Sequence, residues 1–172
     1  MSKIKVIDNK VFFYCDVDDD TIFEFVTTLH TMKHMSEITV FIKSDGGDVY
    51  AGLCAMDHMK AHPSYITTVA DGLCASSASL MLFGGDKRLM MPNARILIHQ
   101  VSSEFSGKFE DLKAEKRNMN AIMKQIRNIY SENSQIPEEK LDKYMNKDTF
   151  LSSNTCITYG IVEDVYSSNS SS

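Results

Sequence analysis

Ile38-Thr39-Val40-Phe41-Ile42-Lys43-Ser44-Asp45-Gly46-Gly47 is the stretch on which the fold turns. Ile38, Val40 and Ile42 fall on one side of an alternating run from Ile38 to Lys43, the period-two mark of a half-buried strand. Ser44-Asp45-Gly46-Gly47 is a turn signal, and beyond it Val49, Leu53, Met56 and Met59 recur at helical spacing until Pro63 stops the run. Downstream, a second strand is expected at Tyr65 to Ala70, breaking at Asp71-Gly72 into a small-residue helix from Leu73 to Leu82 closed by Gly84-Gly85. Two short strands flank Pro92-Asn93, the second being Arg95 to His99. Upstream, the first strand is expected from about Lys10 to Cys15 and a helix from Thr21 to Met35. Alternating strands and helices over the first hundred residues predict an α/β fold with parallel strands.

The second half reads differently. Leu112, Met119, Ile122, Ile126 and Ile129 mark one long amphipathic helix from about Phe109 to Ser134, with Glu110 and Asp111 at the positive end of its dipole. A shorter helix follows, with Pro137 as a first helical residue and an end near Asn146. Tyr159-Gly160 reads as a helix stop and Ile161-Val162 as a strand. At 172 residues one compact domain over 1–166 is expected, with 167–172 as a polar serine-rich tail.

Composition excludes several classes. With 18 basic and 23 acidic residues the net charge is −5, which disfavours nucleic-acid binding, since phosphate affinity comes from clustered Lys and Arg. No stretch approaches the roughly 20 apolar residues of a membrane span, and Met1-Ser2-Lys3 leads into no apolar leader segment. Cys15, Cys54, Cys74 and Cys156 are scattered without CxxC pairing, so neither a disulfide framework nor a zinc knuckle fits and a reducing, cytoplasmic setting does.

Candidate chemistry concentrates at two small-residue turns. A strand turning into an Ala/Ser-rich segment places Ser76 near a helix N-terminus, where unpaired N–H groups favour an attacking alkoxide or an oxyanion. Equally, Ser76 or Ser77 reads as a helix cap. The Asp45-Gly46-Gly47 turn would open at the same sheet edge, so that N–H groups of Gly47 and Ser77 could aim at one point. No phosphate-binding glycine motif is present. Among five histidines, His30 and His34, and His58 and His62, pair on helix faces at i,i+4 spacing with no third ligand, which reads as solvated surface rather than a metal site. His99 ends a strand and is either a satisfied core ring or a site residue; Asp148, before Thr149-Phe150-Leu151, reads by itself as a turn cap.

Taken in order, the landmarks resemble one family. They are Ile42-Lys43-Ser44-Asp45-Gly46-Gly47, Tyr50-Ala51-Gly52, Asp57-His58-Met59 and Gly72-Leu73-Cys74-Ala75-Ser76. Pro92 to Gln100, Lys147-Asp148-Thr149-Phe150-Leu151-Ser152 and Tyr159-Gly160-Ile161-Val162 follow. Together they resemble the proteolytic subunits of Clp-type serine proteases, the ClpP family, over about Lys10 to Val165. That resemblance implies a ClpP/crotonase-like stack of ββα units with the long helix as a protruding handle. It implies Ser76 as nucleophile, His99 as general base, Asp148 as its orienting acid, and the N–H groups of Gly47 and Ser77 as the oxyanion hole. Gly46, Gly47, Gln100 and Val101 would bind substrate. It implies a serine endopeptidase without metal or cofactor, acting on unfolded polypeptides inside a homo-oligomer of stacked heptameric rings, with subunit contacts through Ile122 and Ile126. An AAA+ unfoldase of the ClpX, ClpA or ClpC type would feed it, although a first strand near Lys10 leaves few residues for axial-pore loops. Departures mark a divergent, phage-like member: Asp45 for the usual Pro, Ser77-Ala78-Ser79 for Met-Gly-Ala, Val101 for Pro and Lys147 for Arg. The rival expectations are a non-catalytic ring subunit and a crotonase-like acyl-CoA enzyme.

Overall fold

The computed structural model describes residues 3–102 and 104–167. Within them the chain forms a hairpin, β1 (Ile4–Ile7) and β2 (Lys10–Phe13), then helix α1 (Asp19–Thr31), strand β3 (Glu37–Ser44), helix α2 (Val49–Lys60) and strand β4 (Tyr65–Ala75). Helix α3 (Ser77–Met81) runs into a 3₁₀ turn at Leu82–Gly84, followed by β5 (Lys87–Met90), β6 (Arg95–Ile98), α4 (Phe109–Asn133), α5 (Glu138–Asn146), β7 (Thr149–Leu151), α6 (Ser153–Thr158) and β8 (Asp164–Val165). The eight strands make one sheet ordered β1-β2-β3-β4-β5-β8, with β6 and β7 branching off β4. Pairing from β2 through β8 along that path is parallel, whereas β1–β2 and β6–β7 are antiparallel. The α/β expectation with parallel strands holds. So does the expectation of an extra long helix.

Each element follows from its residues. Asp18 caps α1 by accepting the Thr21 N–H at 2.7 Å, and Asp48 caps α2 by accepting the Ala51 N–H at 2.8 Å. The apolar stripe of α1 (Ile22, Phe25, Leu29) packs on the sheet, and Phe25 meets Phe13 of β2 edge-on at 5.6 Å. Ile38, Val40 and Ile42 of β3 are all buried in this main core, together with Ile66 and Ala70 of β4. Each of these Ile and Val side chains contributes about 1.5–3 kcal/mol of transfer free energy. On the opposite face Phe41, Val69 and Leu89 form a smaller cluster, with Phe41 stacked on Phe12 at 5.0 Å.

Several boundaries differ from the sequence reading, most of them for a tertiary reason. The strand expected first, at Lys10, is the second: Asp8 at φ 54 closes a tight hairpin that pairs Ile4–Ile7 against it. Strand β4 does not break at Asp71-Gly72 but runs on to Ala75, because its first half pairs with β5 and its second half with β6. Gly72, at φ +62, absorbs the irregularity. The expected helix from Leu73 therefore shrinks to Ser77–Met81. Ile161 and Val162 are core residues, and the last strand falls at Asp164–Val165; Pro137 precedes α5 as its cap residue.

Helix α4 spans 25 residues, roughly 37 Å at 1.5 Å per residue. Only Ile126 and Tyr130 are buried, so its C-terminal half is sunk in the main core while its first turns project. Phe109 and Leu112 are exposed there. Ile126, expected at a subunit contact, is instead packed inside its own protomer. Among the described residues no helix is long and apolar enough to cross a membrane.

Candidate active site

Strand β4 delivers Ser76. Ala75, immediately before it, pairs with Leu97 of β6, and Ser44 of β3 pairs with Cys74 on the other side. The Ser76 N–H donates to Leu97 O at 3.1 Å, which fixes the last strand-like position. The chain then reverses into α3 with Ser76 at φ 55, ψ −129, a region that L-residues avoid at a cost of order 1–3 kcal/mol. A strained strand-to-helix turn lifts a side chain clear of the sheet, the device that presents a nucleophile. The cap reading of these serines is not what is observed. Ser76 makes no side-chain cap bond, and buried Ser77 Oγ finds no partner among the described residues.

The Gly46-Gly47 turn packs against this serine. Ser44 Oγ accepts the Gly46 N–H at 3.1 Å. Val17 N–H donates to Gly46 O at 2.9 Å and Asp48 N–H to Val17 O at 2.8 Å, an isolated parallel bridge. In such a bridge the residue flanked by the two bonds, Gly47, turns its own N–H away from the partner. A β-carbon at Gly46 would lie 2.6 Å from that of Ser76, and one at Gly47 2.1 Å from Val17 O. Neither position tolerates a side chain.

Strand β6 delivers His99. Ile98 is buried and His99 follows it, half-buried. The antiparallel register of β6 with β7 (Leu97 opposite Phe150, Ile98 opposite Thr149) carries on to set residue 99 against residue 148. His99 Nδ1 and Asp148 Oδ1 are 3.9 Å apart, an ion-pair separation longer than a hydrogen bond. The Asp148 side chain is 76% exposed and its backbone sits at φ 27. It caps no helix: Ser152 caps α6, and the Asp148 carboxylate makes no hydrogen bond among the described residues.

Gly47, Ser76, Ser77 and His99 line one narrow cavity of about 60 Å³, with Gln100 and Val101 on its wall. Gly46 lies behind Ser76 rather than on that wall. Gln100 N–H donates to Met145 O at 2.8 Å and Val101 N–H to Met123 Sδ at 3.2 Å, so the stretch after His99 is held against α5 and α4. Ile126 and Tyr130 of α4 close the cavity from below. Sequence reasoning passed over Tyr130 and Ser79. The available signal was a polar-tipped aromatic one turn beyond Ile126, on the face that the apolar spacing already turned inward.

The remaining candidates fall away from the cavity. His30, His34 and His58 are exposed, as expected. His62 is not a solvated residue: its ring bonds Leu29 O at 3.0 Å and accepts the Ser64 N–H at 3.2 Å, tying α1 to the start of β4. Among the described residues no three His, Cys, Asp or Glu side chains gather as a metal site would require. All four cysteines are free, and burial pushes the Cys156 thiol up to about 12 and that of Cys74 higher still.

These elements assemble an α/β protein in which a strained serine, a histidine and Gly47 line one cavity at the end of the central strand, with Gly46 packed behind the serine. The family model for Clp protease matches residues 4–169, and the chain belongs to that family. It is 35% identical over 139 residues to the ATP-dependent Clp protease proteolytic subunit of Deinococcus radiodurans, covering 80% of this chain and 68% of that protein. The subunit of the same name from Pleurastrum terricola is 33% identical over 153 residues, covering 86% and 78%. That from Chlorella vulgaris is 31% identical over 162 residues, covering 91% and 81%.

Proposed function

We propose that this chain is the proteolytic subunit of a Clp-type protease and cleaves peptide bonds with Ser76 as nucleophile, His99 as general base and Asp148 as the acid that orients it. The observation that carries the reading is Ser76 at φ 55 beside His99 in one cavity, with Asp148 brought behind the ring by the β6–β7 register. Ser76 Oγ would attack the carbonyl, His99 would take its proton and return it to the leaving amine, and Asp148 would stabilise the imidazolium. The N–H groups of Gly47 and Ser77 would receive the oxyanion. The 3.9 Å between His99 and Asp148 must shorten to a hydrogen bond in the working complex, as catalytic contacts do when substrate binds. Gly47, Gln100 and Val101 would hold substrate backbone at the cavity mouth, with Gly46 keeping Ser76 in place from behind.

Family membership supports a ring-shaped homo-oligomer, stacked heptamers with the α4 helices at the ring contact, working in the cytoplasm on polypeptides unfolded by an AAA+ partner. Access to the chamber, rather than the small cavity, would then select substrates.

The decisive measurement is short-peptide hydrolysis together with fluorophosphonate labelling. Wild type should be labelled at Ser76, and Ser76→Ala or His99→Ala should lose about 10⁶ in turnover. A well-folded, assembled protein whose hydrolysis survives Ser76→Ala would overturn the reading. Assembly with no activity of its own would instead make this a non-catalytic ring subunit.

A further inference from the structure

We propose that Tyr130 is a positioning residue for hydrolysis, acting through Ser79 to fix the peptide plane between Ser76 and Ser77 and thereby the aim of the Ser77 N–H into the cavity. The inference rests on the reading of Ser76 as nucleophile and of Ser77 N–H as an oxyanion donor. Ser79 Oγ donates to Ser76 O at 2.6 Å, and Ser79 N–H donates to the same oxygen at 3.0 Å. The single hydroxyl proton of Ser79 is thus committed, so in the 2.5 Å contact between Ser79 Oγ and Tyr130 OH the phenol is the donor. The result is a directed chain: Tyr130 O–H to Ser79 Oγ, Ser79 O–H to Ser76 C=O.

The consequence follows from peptide geometry. The bond between Ser76 and Ser77 is trans, so the Ser76 carbonyl and the Ser77 N–H lie in one plane and point in opposite directions. Two donors drawing the carbonyl toward Ser79 swing the N–H the other way and hold it there. They also polarise the amide, which strengthens its N–H as a donor, because bonds in such a chain reinforce one another. Preorganised aim is what an oxyanion donor needs: the gain is lost if the group must reorient as charge develops. The strained turn at Ser76 makes the restraint matter, since that backbone has no favourable well of its own.

The placement of Tyr130 suits the task. It is 2% exposed, its ring meets Phe83 edge-on at 5.3 Å, and it lines the same cavity as Ser76 and His99. Burial holds its phenol far above the ordinary range, so it remains a protonated donor at every working pH. It stands on α4, the helix that projects from the body of the protomer, so the chain of bonds also links the handle to the reacting serine.

The test is Tyr130→Phe in the assembled protein, which keeps the ring contact and removes only the hydroxyl. Removing an oxyanion donor outright costs about 10²–10³ in turnover, and a mis-aimed one keeps part of that, so kcat should fall about 10-fold with KM within about twofold. Affinity for a peptide boronate, whose adduct puts an oxygen where the oxyanion forms, should fall by the same factor. Ser79→Ala cuts the same chain at its other link and should match, and the double variant should be no worse than the more impaired single one. It also serves as the reading if Tyr130→Phe fails to assemble. Tyr130→Phe or Ser79→Ala retaining kcat and boronate affinity within twofold overturns the proposal. So does a loss seen only as lower Tm with kcat per folded protomer intact. Fluorophosphonate labelling of wild-type Ser76 separates the two claims: labelling with unchanged variant kinetics sinks the role of Tyr130 alone. Peptide hydrolysis without labelling sinks the nucleophile.

Discussion

At Gly46 a β-carbon would sit 2.6 Å from that of Ser76 and 2.8 Å from Ala75 O, with the backbone at φ +99. Neither obstacle is the flexible end of a side chain. Gly46→Ala must therefore displace the serine, and a shift of even 1 Å at a reacting atom costs on the order of 100-fold. We expect kcat on a short peptide to fall by at least that factor with the particle still assembled; near-normal turnover in the variant would show that Ser76 has room to move. Cysteine chemistry tests burial separately. Burial, opposed by Lys3, raises the Cys15 thiol from 9.0 to about 11. Alkylation follows the thiolate, so labelling of Cys15 in native protein should rise about tenfold per pH unit between pH 8 and 10, while exposed Cys54 is labelled first. The raised folded value favours the fold below pH 9, and this contribution is lost as pH rises through about 11. Mass spectrometry of partially alkylated protein checks both; equal labelling of Cys15 and Cys54 at pH 8 would contradict the burial argument.

Among the elements, β4 is the one on which the site depends. Its Thr67–Ala70 half pairs with β5 and its Leu73–Ala75 half with β6, so one continuous strand serves two neighbours and delivers Ser76 just past its end. The switch falls at Asp71-Gly72, where Asp71 accepts from Tyr14 OH and Gly72 takes φ +62. A β-carbon at Gly72 would meet only the Lys43 methylenes at 3.4 Å, ordinary contact, so the cost of Gly72→Ala is conformational rather than steric. That places it at about 1–2 kcal/mol. Urea denaturation should show a lower midpoint at unchanged m-value; a variant as stable as wild type would mean the turn relaxes without cost. Asp-Gly is a strong local turn signal and by itself predicts a break in the strand here. Pairing on both sides overrode it.

For the whole molecule, the projecting half of α4 is the feature that a lone protomer leaves unexplained. Phe109 is 69% and Leu112 44% exposed on a helix whose Ile122, Met123, Ile126 and Ile129 pack on the main core. The proposed ring assembly would cover this apolar pair, three residues apart on the projecting end of the helix. Wild type should sediment at a large multiple of the 19.4 kDa protomer, and Leu112→Asp should lower that mass with the helix content unchanged by circular dichroism. An unaltered sedimentation coefficient would remove the handle from the subunit contact. Ile126→Asp is the wrong probe, since it would place a charge in the protomer core beside the candidate site.

The boundary between what local sequence encodes and what it does not runs through the candidate site. Helix stripes such as Ile22, Phe25 and Leu29, the alternation of β3, and the Gly46-Gly47 turn depend on neighbours a few residues away, so the sequence alone determined the α/β class, most elements and the separate motifs around Ser76, His99 and Asp148. The cavity is another matter. Ser76 and His99 line one cavity because β4 and β6 pair in parallel, and Asp148 comes to 3.9 Å from His99 because β7 pairs antiparallel to β6 in one particular register. Tyr130 reaches Ser79 only because half of α4 sinks into the core. Those pairs join residues 23 to 51 positions apart in the chain, and no local periodicity carries such a distance. Only the pairing of strands and the burial of one helix end could decide them, because both are settled by the free energy of the whole core rather than by any single segment.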